Sequence, residues 1–339
     1  ILAFSCILAP NSELVIEKRM NHCNILNSYT ADVLAKYNNE IQKIAERTRL
    51  GIPVTIASDP RHASEQNPGA AIYTPSFSQW PSPLGLAATR DTSLVRDFGH
   101  LAREEYKAVG IRVALHPMAD LATEPRWGRI NGTFGEDAGL SAAMSYAYIK
   151  GFQGDTLSKE SVICMTKHFS GGGPQKDGED AHFPYGSEQV YPGNNFDYHL
   201  RPFVEGALPA HTGQIMPYYG IPVGQTDEEV AFGFNKQIIT TLLRDSLKYD
   251  GVVCTDWNII SKGGLGDPRA WGVEHLSESE RVLKVLNAGC DQFGGESNSQ
   301  LVIDLVKEGK ISEERIDVSV RRLLRDKFTL GLFDQPYVD

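Results

Sequence analysis

Polar side chains follow several short apolar runs of this sequence, at the point where each run ends. The segments are Ser58-Asp59-Pro60-Arg61-His62, His116, Lys167-His168-Phe169, Tyr218-Tyr219 and Thr255-Asp256-Trp257. Together they offer carboxylates, cations and aromatic rings. Aromatic rings stack on the apolar faces of sugars and charged groups bind vicinal hydroxyls, whereas a phosphate ester would be matched by cations alone. The set therefore favours a carbohydrate ligand over a phosphate ester.

Asp256 is the sharpest candidate for a reacting carboxylate. It closes the buried-strand pattern Gly-Val-Val-Cys-Thr and is followed by Trp257. A carboxylate in apolar surroundings is either paired or used, because an isolated charge is expensive to bury. Spacing alone leaves a structural ion pair or a helix cap as the alternative for Asp256.

Five other candidates also have structural alternatives. Neighbouring strand residues point to opposite faces, so one of Lys167 and His168 could point inward while the other caps the next helix. At a strand end, both could turn to the same side. Asp59 could form an Asx-turn before the proline that follows it. Arg126 and Arg129, in Glu-Pro-Arg-Trp-Gly-Arg, could form ion pairs that fix a loop.

Eight short apolar runs rich in β-branched residues alternate with segments of helical period. The runs cover residues 1–8, 24–26, 54–57, 113–115, 162–165, 214–216, 251–254 and 290–293. Buried strands that alternate with helices indicate a parallel α/β fold, and eight strands close a barrel. We therefore predict a single-domain (β/α)8 TIM barrel, with a doubly wound open sheet as the alternative. Active sites of such barrels lie at the C-terminal ends of the strands, so the polar segments above would meet at one mouth.

Three helices are marked by a capping residue followed by an apolar stripe. Asp91, Asn235 and Ser312 are the predicted caps, and the stripes predict that Leu101 and Phe328 face inward. The glycines at 171–173 follow a strand, but no helix of G-x-G-x-x-G type begins there, so dinucleotide binding is not predicted. The long segment 170–195 is rich in glycine, proline and charge, which is typical of a functional or disordered loop.

The composition argues against several classes of partner. The chain has 339 residues and a formal net charge of -10, which disfavours nucleic acid and anionic membrane partners. No run of about 18 apolar residues occurs, so no membrane-spanning helix is expected. The five cysteines form no C-x-x-C pair and most lie in apolar runs, which predicts buried free thiols rather than a zinc site or a disulfide framework.

The first residues give little information about the compartment. The chain begins at Ile1, without a methionine, inside an apolar run. We therefore expect an upstream segment. No signal peptide of normal form is visible, and the periplasm, secretion and the cytoplasm all stay open.

At its polar segments the chain resembles glycoside hydrolase family 3, most clearly from Gly51 onward. Six motifs occur in the family's order. They are Gly-Ile-Pro-Val-Thr-Ile-Ala-Ser-Asp at 51–59, Glu-Pro-Arg-Trp-Gly-Arg at 124–129, Phe-Gly-Glu-Asp at 134–137, Lys-His-Phe-Ser-Gly-Gly-Gly at 167–173, Ile-Met-Pro-Tyr-Tyr at 215–219 and Gly-Val-Val-Cys-Thr-Asp-Trp at 251–257. The resemblance implies a barrel catalytic domain over residues 1–339, in the β-glucosidase-like branch, with no metal or organic cofactor.

The resemblance also implies a role for individual residues. The aspartate of the family's Ser/Thr-Asp-Trp motif is a nucleophile that forms a covalent glycosyl-enzyme, and this role falls on Asp256. The family's sugar-binding arginine matches Arg129 better than Arg126, because Arg129 comes just before Phe-Gly-Glu-Asp. The implied substrate-binding residues are Asp59, Arg129, Lys167, His168, Met216, Tyr219 and Trp257.

A retaining mechanism also needs a general acid/base, for which two sources are open. Many family members take it from a second α/β domain after the barrel. This chain stops at Asp339, where the barrel normally ends, so we expect the second domain to be absent from it. The acid/base would then come from a second domain or chain outside this sequence. Bacterial β-N-acetylglucosaminidases of the family instead use an Asp-x-His pair on the loop after the fifth strand, where this sequence has Asp180-Ala-His182. The alternative is that Asp180 and His182 order the loop against the missing domain.

These observations lead to one hypothesis and several alternatives. A compact first subsite, in which Asp59, Arg129, Lys167 and His168 grip hydroxyls, implies an exo-acting retaining β-glycosidase that removes one sugar from a non-reducing end. We place β-glucosidase first. The alternatives are a β-N-acetylglucosaminidase that uses His182, a β-xylosidase, and a non-catalytic sugar-binding barrel that needs a partner domain.

Overall fold

Eight parallel strands form a closed barrel. The computed structural model describes residues 1–6, 12–64, 71–263 and 266–339. The strands are β1 (Leu2–Cys6), β2 (His22–Ile25), β3 (Thr55–Ser58), β4 (Ile111–Ala114), β5 (Ile163–Phe169), β6 (Gln214–Pro217), β7 (Val252–Trp257) and β8 (Gln292–Gly294). Each strand pairs with its neighbours along the chain, and β8 pairs with β1. The prediction of a (β/α)8 barrel is confirmed, and the open sheet is wrong. Positions 7 and 8 of the first predicted run lie outside the described residues.

Helices connect the strands on the outside of the barrel. The longer ones are Ala31–Glu46, Thr92–Ala108, Ala138–Gln153, Gln237–Ser246, Glu278–Ala288, Gln300–Lys307 and Glu313–Thr329, and the shorter ones are Glu13–Glu17, Pro83–Ala88, Ile130–Gly132, Lys176–Gly178, Pro184–Gly186, Phe196–Arg201, Pro202–Ala207 and Phe232–Phe234. The three predicted capping residues are confirmed, because a side-chain oxygen of each accepts a backbone N–H of the first helical turn. These caps fix where the helices begin after the loops at the barrel mouth.

Apolar side chains fill the barrel in two layers. Inside the strands, Val113, Met165, Met216, Cys254 and Trp257 belong to one buried cluster. Outside the strands, a larger cluster joins the barrel to the helices. Both faces of each strand are therefore buried, which explains why the strands read as continuous apolar runs rather than as an alternating pattern.

The last helix closes the N-terminal end of the barrel. Lys327 donates hydrogen bonds to the carbonyl oxygens of Asn21 and Pro53 and to the hydroxyl of Thr55, the first residue of β3. Gln214, the first residue of β6, donates to Asp326 over 2.7 Å. Because these polar contacts occupy the N-terminal end, the open mouth lies at the other end of the strands.

Two predicted helix faces are corrected. Leu101 and Phe328 are 48% and 61% exposed, although the stripes predicted that both face inward. In the helix Glu313–Thr329 the inward face carries Asp326 and Lys327, which close the barrel. Phe328 is therefore turned outward, where its ring stacks on Phe333 at 4.3 Å between centroids.

The prediction for the cysteines is wrong at one position. Cys164, Cys254 and Cys290 are free and buried, as predicted, but Cys23 is disulfide-bonded. Cys23 lies in β2. Spacing along the chain gave no sign of this bond.

The glycine run at 171–173 serves close packing. A Cβ atom at Gly173 would lie 1.8 Å from the carbonyl oxygen of Leu121, so only glycine fits there. The long segment after β5 contains the two-residue strand Glu188–Gln189, which pairs with Ile221–Pro222. This segment folds back over the barrel mouth and contributes side chains to the site described next.

Candidate active site

A cavity of about 590 Å³ opens at the C-terminal ends of the strands. Its size falls within the range of ligand-binding clefts. All ten residues that the sequence assigned to a site line it. The lining residues are Asn24, Leu26, Asp59, Leu115, Gly128, Arg129, Lys167, His168, Asp180, His182, Phe183, Met216, Tyr219, Asp256, Trp257 and Arg269.

Asp256 lies at the end of β7 and is almost completely buried. One carboxylate oxygen accepts the backbone N–H of Trp257 over 2.7 Å. Burial would raise the pKa of Asp256, but its electrostatic interactions with His168, His182, Lys167 and Arg129 outweigh burial and lower this pKa below its ordinary value. The carboxylate is therefore ionised at neutral pH, as a nucleophile must be.

Asp120 holds the imidazole of His168 in one orientation. The Nδ1 atom of His168 lies 2.6 Å from Asp120 Oδ2, and the other carboxylate oxygen accepts the backbone N–H of His168 and of Gly172. Burial would raise the pKa of Asp120, but His168 and these hydrogen bonds lower it, so the carboxylate is ionised and Nδ1 must donate. The other ring nitrogen, Nε2, then lies 3.7 Å from Asp256 Oδ2.

Asp59 and Lys167 form a partly buried ion pair that also lines the cavity. The Nζ atom of Lys167 donates to Asp59 Oδ1 over 2.8 Å, and Asn24 donates to Oδ2 over 3.4 Å. Lys167 and His168 both reach the cavity although they are adjacent. The pairing of β5 with β6 shifts register between Lys167 and Phe169, so the usual alternation of faces breaks there.

Arg129 reaches the cavity, whereas Arg126 does not. The guanidinium of Arg129 is buried and donates to the hydroxyl of Tyr218 over 3.3 Å. Burial would lower the pKa of Arg129, but Tyr218, Asp180 and Asp256 raise it, so its charge is permanent. The side chain of Arg126 is 63% exposed and pairs with Glu124. This contrast agrees with the preference for Arg129 that the motif spacing gave.

Asp180 and His182 form a carboxylate–imidazole pair at the rim of the cavity. The Nδ1 atom of His182 and its backbone N–H lie 2.5 Å and 2.9 Å from Asp180 Oδ1. The second oxygen, Oδ2, accepts the indole N–H of Trp127 over 2.7 Å and the hydroxyl of Tyr218 over 3.2 Å. Burial would raise the pKa of Asp180, but its hydrogen bonds with His182 and the charge of Arg129 lower it.

This pair has the chemistry of an oriented proton donor. Because Asp180 is ionised, Nδ1 of His182 donates to it, and Nε2 is the nitrogen that could exchange a proton with a ligand. A histidine fixed by a carboxylate in this way can act as a general acid and base near neutral pH.

Two residues after β7 hold the segment that carries His182. Arg269 donates from Nε to the carbonyl oxygen of His182 over 3.1 Å, and its guanidinium lies over the ring of Tyr219, 5.1 Å from the centroid. Trp271 donates to the carbonyl oxygen of Ala181 over 2.8 Å. The loop after the seventh strand therefore fixes the loop after the fifth.

Three functional neighbours escaped the sequence analysis: Asp120, Tyr218 and Arg269. Tyr218 stood in a polar strand end, but the motif assigned only Tyr219. Asp120 ends the segment His-Pro-Met-Ala-Asp, which follows the fourth apolar run. Its place near a strand end was a usable signal, because a polar residue there could orient another side chain of the site. Arg269 lies in a long loop with no motif, and nothing in the sequence marked it.

Two classes of feature are missing from the part of the chain that the structure describes. No group of three or more His, Cys, Asp or Glu side chains in the described ranges could hold a metal ion. No described helix combines the length and the apolar character that a membrane crossing requires.

Known proteins resemble this chain in both sequence and fold. The model of the glycosyl hydrolase family 3 N terminal domain matches residues 15–325. The chain is 55% identical over 332 residues to beta-glucosidase C of Emericella nidulans, covering 96% of this chain and 54% of that protein. It is 46% identical over 327 residues to a periplasmic beta-glucosidase/beta-xylosidase of Dickeya chrysanthemi, covering 90% of this chain and 50% of that protein.

Solved structures show the same architecture. A β-glucosidase involved in saponin metabolism from intestinal bacteria matches 99% of this chain and 41% of that chain, with a TM-score of 0.77 and 27% identity. A family 3 β-N-acetylglucosaminidase from Paenibacillus sp. str. FPU-7 shares the fold, with a TM-score of 0.83 and 24% identity over 100% of this chain and 62% of that chain. The chain spans about half the length of the curated relatives it matches.

Proposed function

The chain belongs to glycosyl hydrolase family 3, and from this we propose that it carries the catalytic barrel of an exo-acting retaining β-glycosidase, with β-glucosidase as its activity. One observation supports this most directly. An ionised, buried carboxylate, Asp256, and an oriented imidazole, His182, line the same cavity. The β-glucosidase names of the similar relatives support the choice of sugar.

The first step is attack by Asp256. The ion pair of Asp59 and Lys167, together with His168 and Arg129, would hold the hydroxyls of one terminal sugar against Asp256. The carboxylate attacks the anomeric carbon, the bond to the leaving oxygen breaks, and a covalent glycosyl-enzyme forms. Because Asp120 fixes His168, the groups that bind hydroxyls need little reorganisation as the ring flattens in the transition state.

The proton steps belong to His182. Nε2 of the protonated ring gives its proton to the leaving oxygen, and the neutral ring then takes a proton from the water that attacks the glycosyl-enzyme. Asp180 keeps the ring in place through both steps. Two displacements at the same carbon retain the anomeric configuration.

Three alternatives are open. The Asp180–His182 pair also fits a β-N-acetylglucosaminidase, because the sequence resembles that branch of the family at this pair. The relative from Dickeya chrysanthemi carries the name beta-xylosidase as well. Another part of a longer protein could supply the acid/base instead. The barrel by itself would then bind a sugar but would not hydrolyse it.

The decisive experiment traps the nucleophile. The full-length protein is incubated with 2,4-dinitrophenyl 2-deoxy-2-fluoro-β-glucoside, and its mass is measured intact and after digestion. This leaving group departs without a proton, so trapping tests Asp256 independently of the acid/base. We expect one covalent fluoroglucosyl group on the peptide that contains Asp256.

Matched variants make the result specific. Asp256→Asn should take no label, and Asp155→Asn, whose side chain is 82% exposed, should label like the wild type. Label on another peptide would overturn the assignment of Asp256. The protein could instead take no label and leave aryl β-glucosides intact while it hydrolyses the xyloside or the N-acetylglucosaminide. That result would identify the hydrolysed sugar, rather than glucose, as the substrate. No turnover of any of these glycosides would leave a binding barrel.

A further inference from the structure

Two aromatic side chains stack on each other in solvent beside the cavity. Phe183 and Tyr185 are 50% and 65% exposed. Their ring centroids are 5.3 Å apart and their planes differ by 5°. Single exposed aromatic residues are common, but a contiguous apolar surface at the edge of a polar cavity is typical of a binding site.

The pair begins where a leaving group would depart. Phe183 lines the cavity together with Asp256, and it directly follows His182 in the chain. The proposed proton donor must touch the leaving oxygen, so a leaving group in this cavity would lie close to the residue that follows His182. Tyr185 does not line the cavity itself, and its ring adds to the apolar surface by stacking on Phe183.

The backbone that carries the pair is held on both sides. Phe183 donates its backbone N–H to Asp180 and accepts the N–H of Gly186 on its own carbonyl oxygen, over 3.1 Å and 3.0 Å. A Cβ atom at Gly186 would lie 2.2 Å from the carbonyl oxygen of Asp180, so the turn is tightly closed. Arg269 fixes the adjoining carbonyl of His182. A surface held this firmly loses little conformational entropy when it binds a ligand.

We propose that Phe183 and Tyr185 form a subsite for the leaving group, and that this subsite accepts a flat ring with an apolar face. The inference rests on the proposed glycosidase function and names its substrate class: β-glucosides whose leaving group carries such a ring next to the scissile bond. The Phe183 ring offers only an apolar face, so stacking rather than hydrogen bonding selects the ligand. An aromatic ring and the apolar face of a second sugar share this chemistry.

The test compares leaving groups of similar acidity that differ in the ring. Benzyl and methyl β-glucoside release alcohols of similar acidity, so the chemical step is matched and only stacking differs. The ratio of kcat/KM for benzyl over methyl is measured for the full-length wild type, Phe183→Ala, Phe183→Leu and Tyr185→Ala. We expect a wild-type ratio of about 2–10, from the usual strength of aromatic stacking, and a ratio near one in Phe183→Ala. Phe183→Leu keeps apolar volume without the ring and should also lose most of the preference.

A control variant and a sugar substrate complete the design. Phe328 is 61% exposed on the last helix and stacks on Phe333, so Phe328→Ala is a matched change outside the cavity and should keep the wild-type ratio. A glucosyl-β-glucose disaccharide replaces benzyl glucoside in a second arm. Loss of activity on it in Phe183→Ala extends the subsite to sugar rings, and loss confined to benzyl glucoside assigns it to aromatic rings.

Two further outcomes would overturn the inference in different ways. An active enzyme whose ratio is unchanged in Phe183→Ala and Tyr185→Ala would reject the subsite while the proposed function stands, as expected if another part of a longer protein covers the pair. A folded wild type that hydrolyses none of the β-glucosides would reject the proposed function, and the subsite with it.

Discussion

Replacing Asp180 by asparagine tests whether the carboxylate orients a working proton donor. All four partners of the Asp180 carboxylate are donors: the ring and backbone N–H of His182 on one oxygen, and Trp127 and Tyr218 on the other. Asparagine has the same shape but carries an NH2 group in place of one oxygen. In either orientation, the amide NH2 group would face at least one N–H group that can only donate: the backbone N–H of His182 or the indole N–H of Trp127.

The expected loss can be sized from these contacts. A buried polar group left without its partner costs about 1–3 kcal/mol, so Asp180→Asn should lower the free energy of unfolding by about that amount. Loss of a positioned general acid costs about 10²–10⁴ in rate. We therefore expect kcat/KM for methyl β-glucoside to fall by about 10²–10⁴-fold in Asp180→Asn and in His182→Ala.

The assay separates proton transfer from folding by the choice of substrate. 2,4-Dinitrophenyl β-glucoside needs no proton to release its leaving group, so kcat/KM for it should fall by less than about tenfold in both variants. His100→Ala, at an exposed histidine of the helix Thr92–Ala108, should behave like the wild type on both substrates. Equal losses on the two substrates would refute the reasoning, because they would mean that the pair only supports the loop. No loss on either would place the acid/base elsewhere.

Three other perturbations address charge in and below the cavity. Lys167→Met removes the positive charge of Lys167, which lowers the pKa of Asp256, so the acidic limb of the kcat/KM profile for the dinitrophenyl glucoside should move to higher pH than in the wild type. An unmoved limb would contradict this electrostatic account. Burial raises the pKa of Asp326 to about 6 in the folded protein. The folded state therefore binds the proton of the Asp326 carboxyl more tightly than the unfolded state does, and stability is lost as pH rises from about 4 to 6. Asp326→Asn should therefore raise the free energy of unfolding at pH 7 by on the order of 1–3 kcal/mol and reduce the loss of stability between about pH 4 and 6. Urea denaturation at several pH values in this range measures both effects. A wild type whose stability does not fall in this range would contradict the account of Asp326. Arg129→Ala should lower kcat/KM by on the order of a hundredfold, whereas Arg126→Ala, at a side chain 63% exposed, should change it by less than about twofold, and similar effects of the two would contradict the assignment.

The barrel was predictable because its strands are buried on both faces. Each of the eight apolar runs overlaps one strand of the barrel. The boundaries were less predictable. β5 continues through Lys167 and His168 to Phe169, beyond the run at 162–165, because these polar side chains turn into the cavity rather than into the core. Apolarity marks where a strand is buried but does not mark where it ends.

The helix faces and the disulfide were less predictable. Leu101 and Phe328 fit an apolar stripe but lie at its exposed edge, because the direction a helix faces depends on what it packs against. The inward face of the last helix was decided by Lys327 and its acceptors at the barrel floor. No local pattern in the sequence marked the disulfide bond at Cys23.

The sequence by itself identified ten of the sixteen residues that line the cavity. Strands of a parallel barrel all end on the same side, so residue types at strand ends, read together with the family's motifs, identified all ten proposed site residues without knowledge of any distance.

Only the tertiary structure decided how these residues act on one another. Asp120 holds His168 across 48 positions of the chain, and Trp127 and Tyr218 hold Asp180 across 53 and 38. Hydrogen-bond lengths and directions show that Asp180 and His182 form an oriented pair, and the role of this pair in proton transfer stays a prediction. Hydrogen bonds form over about 3 Å, and folding alone brings residues so far apart in the chain to that distance.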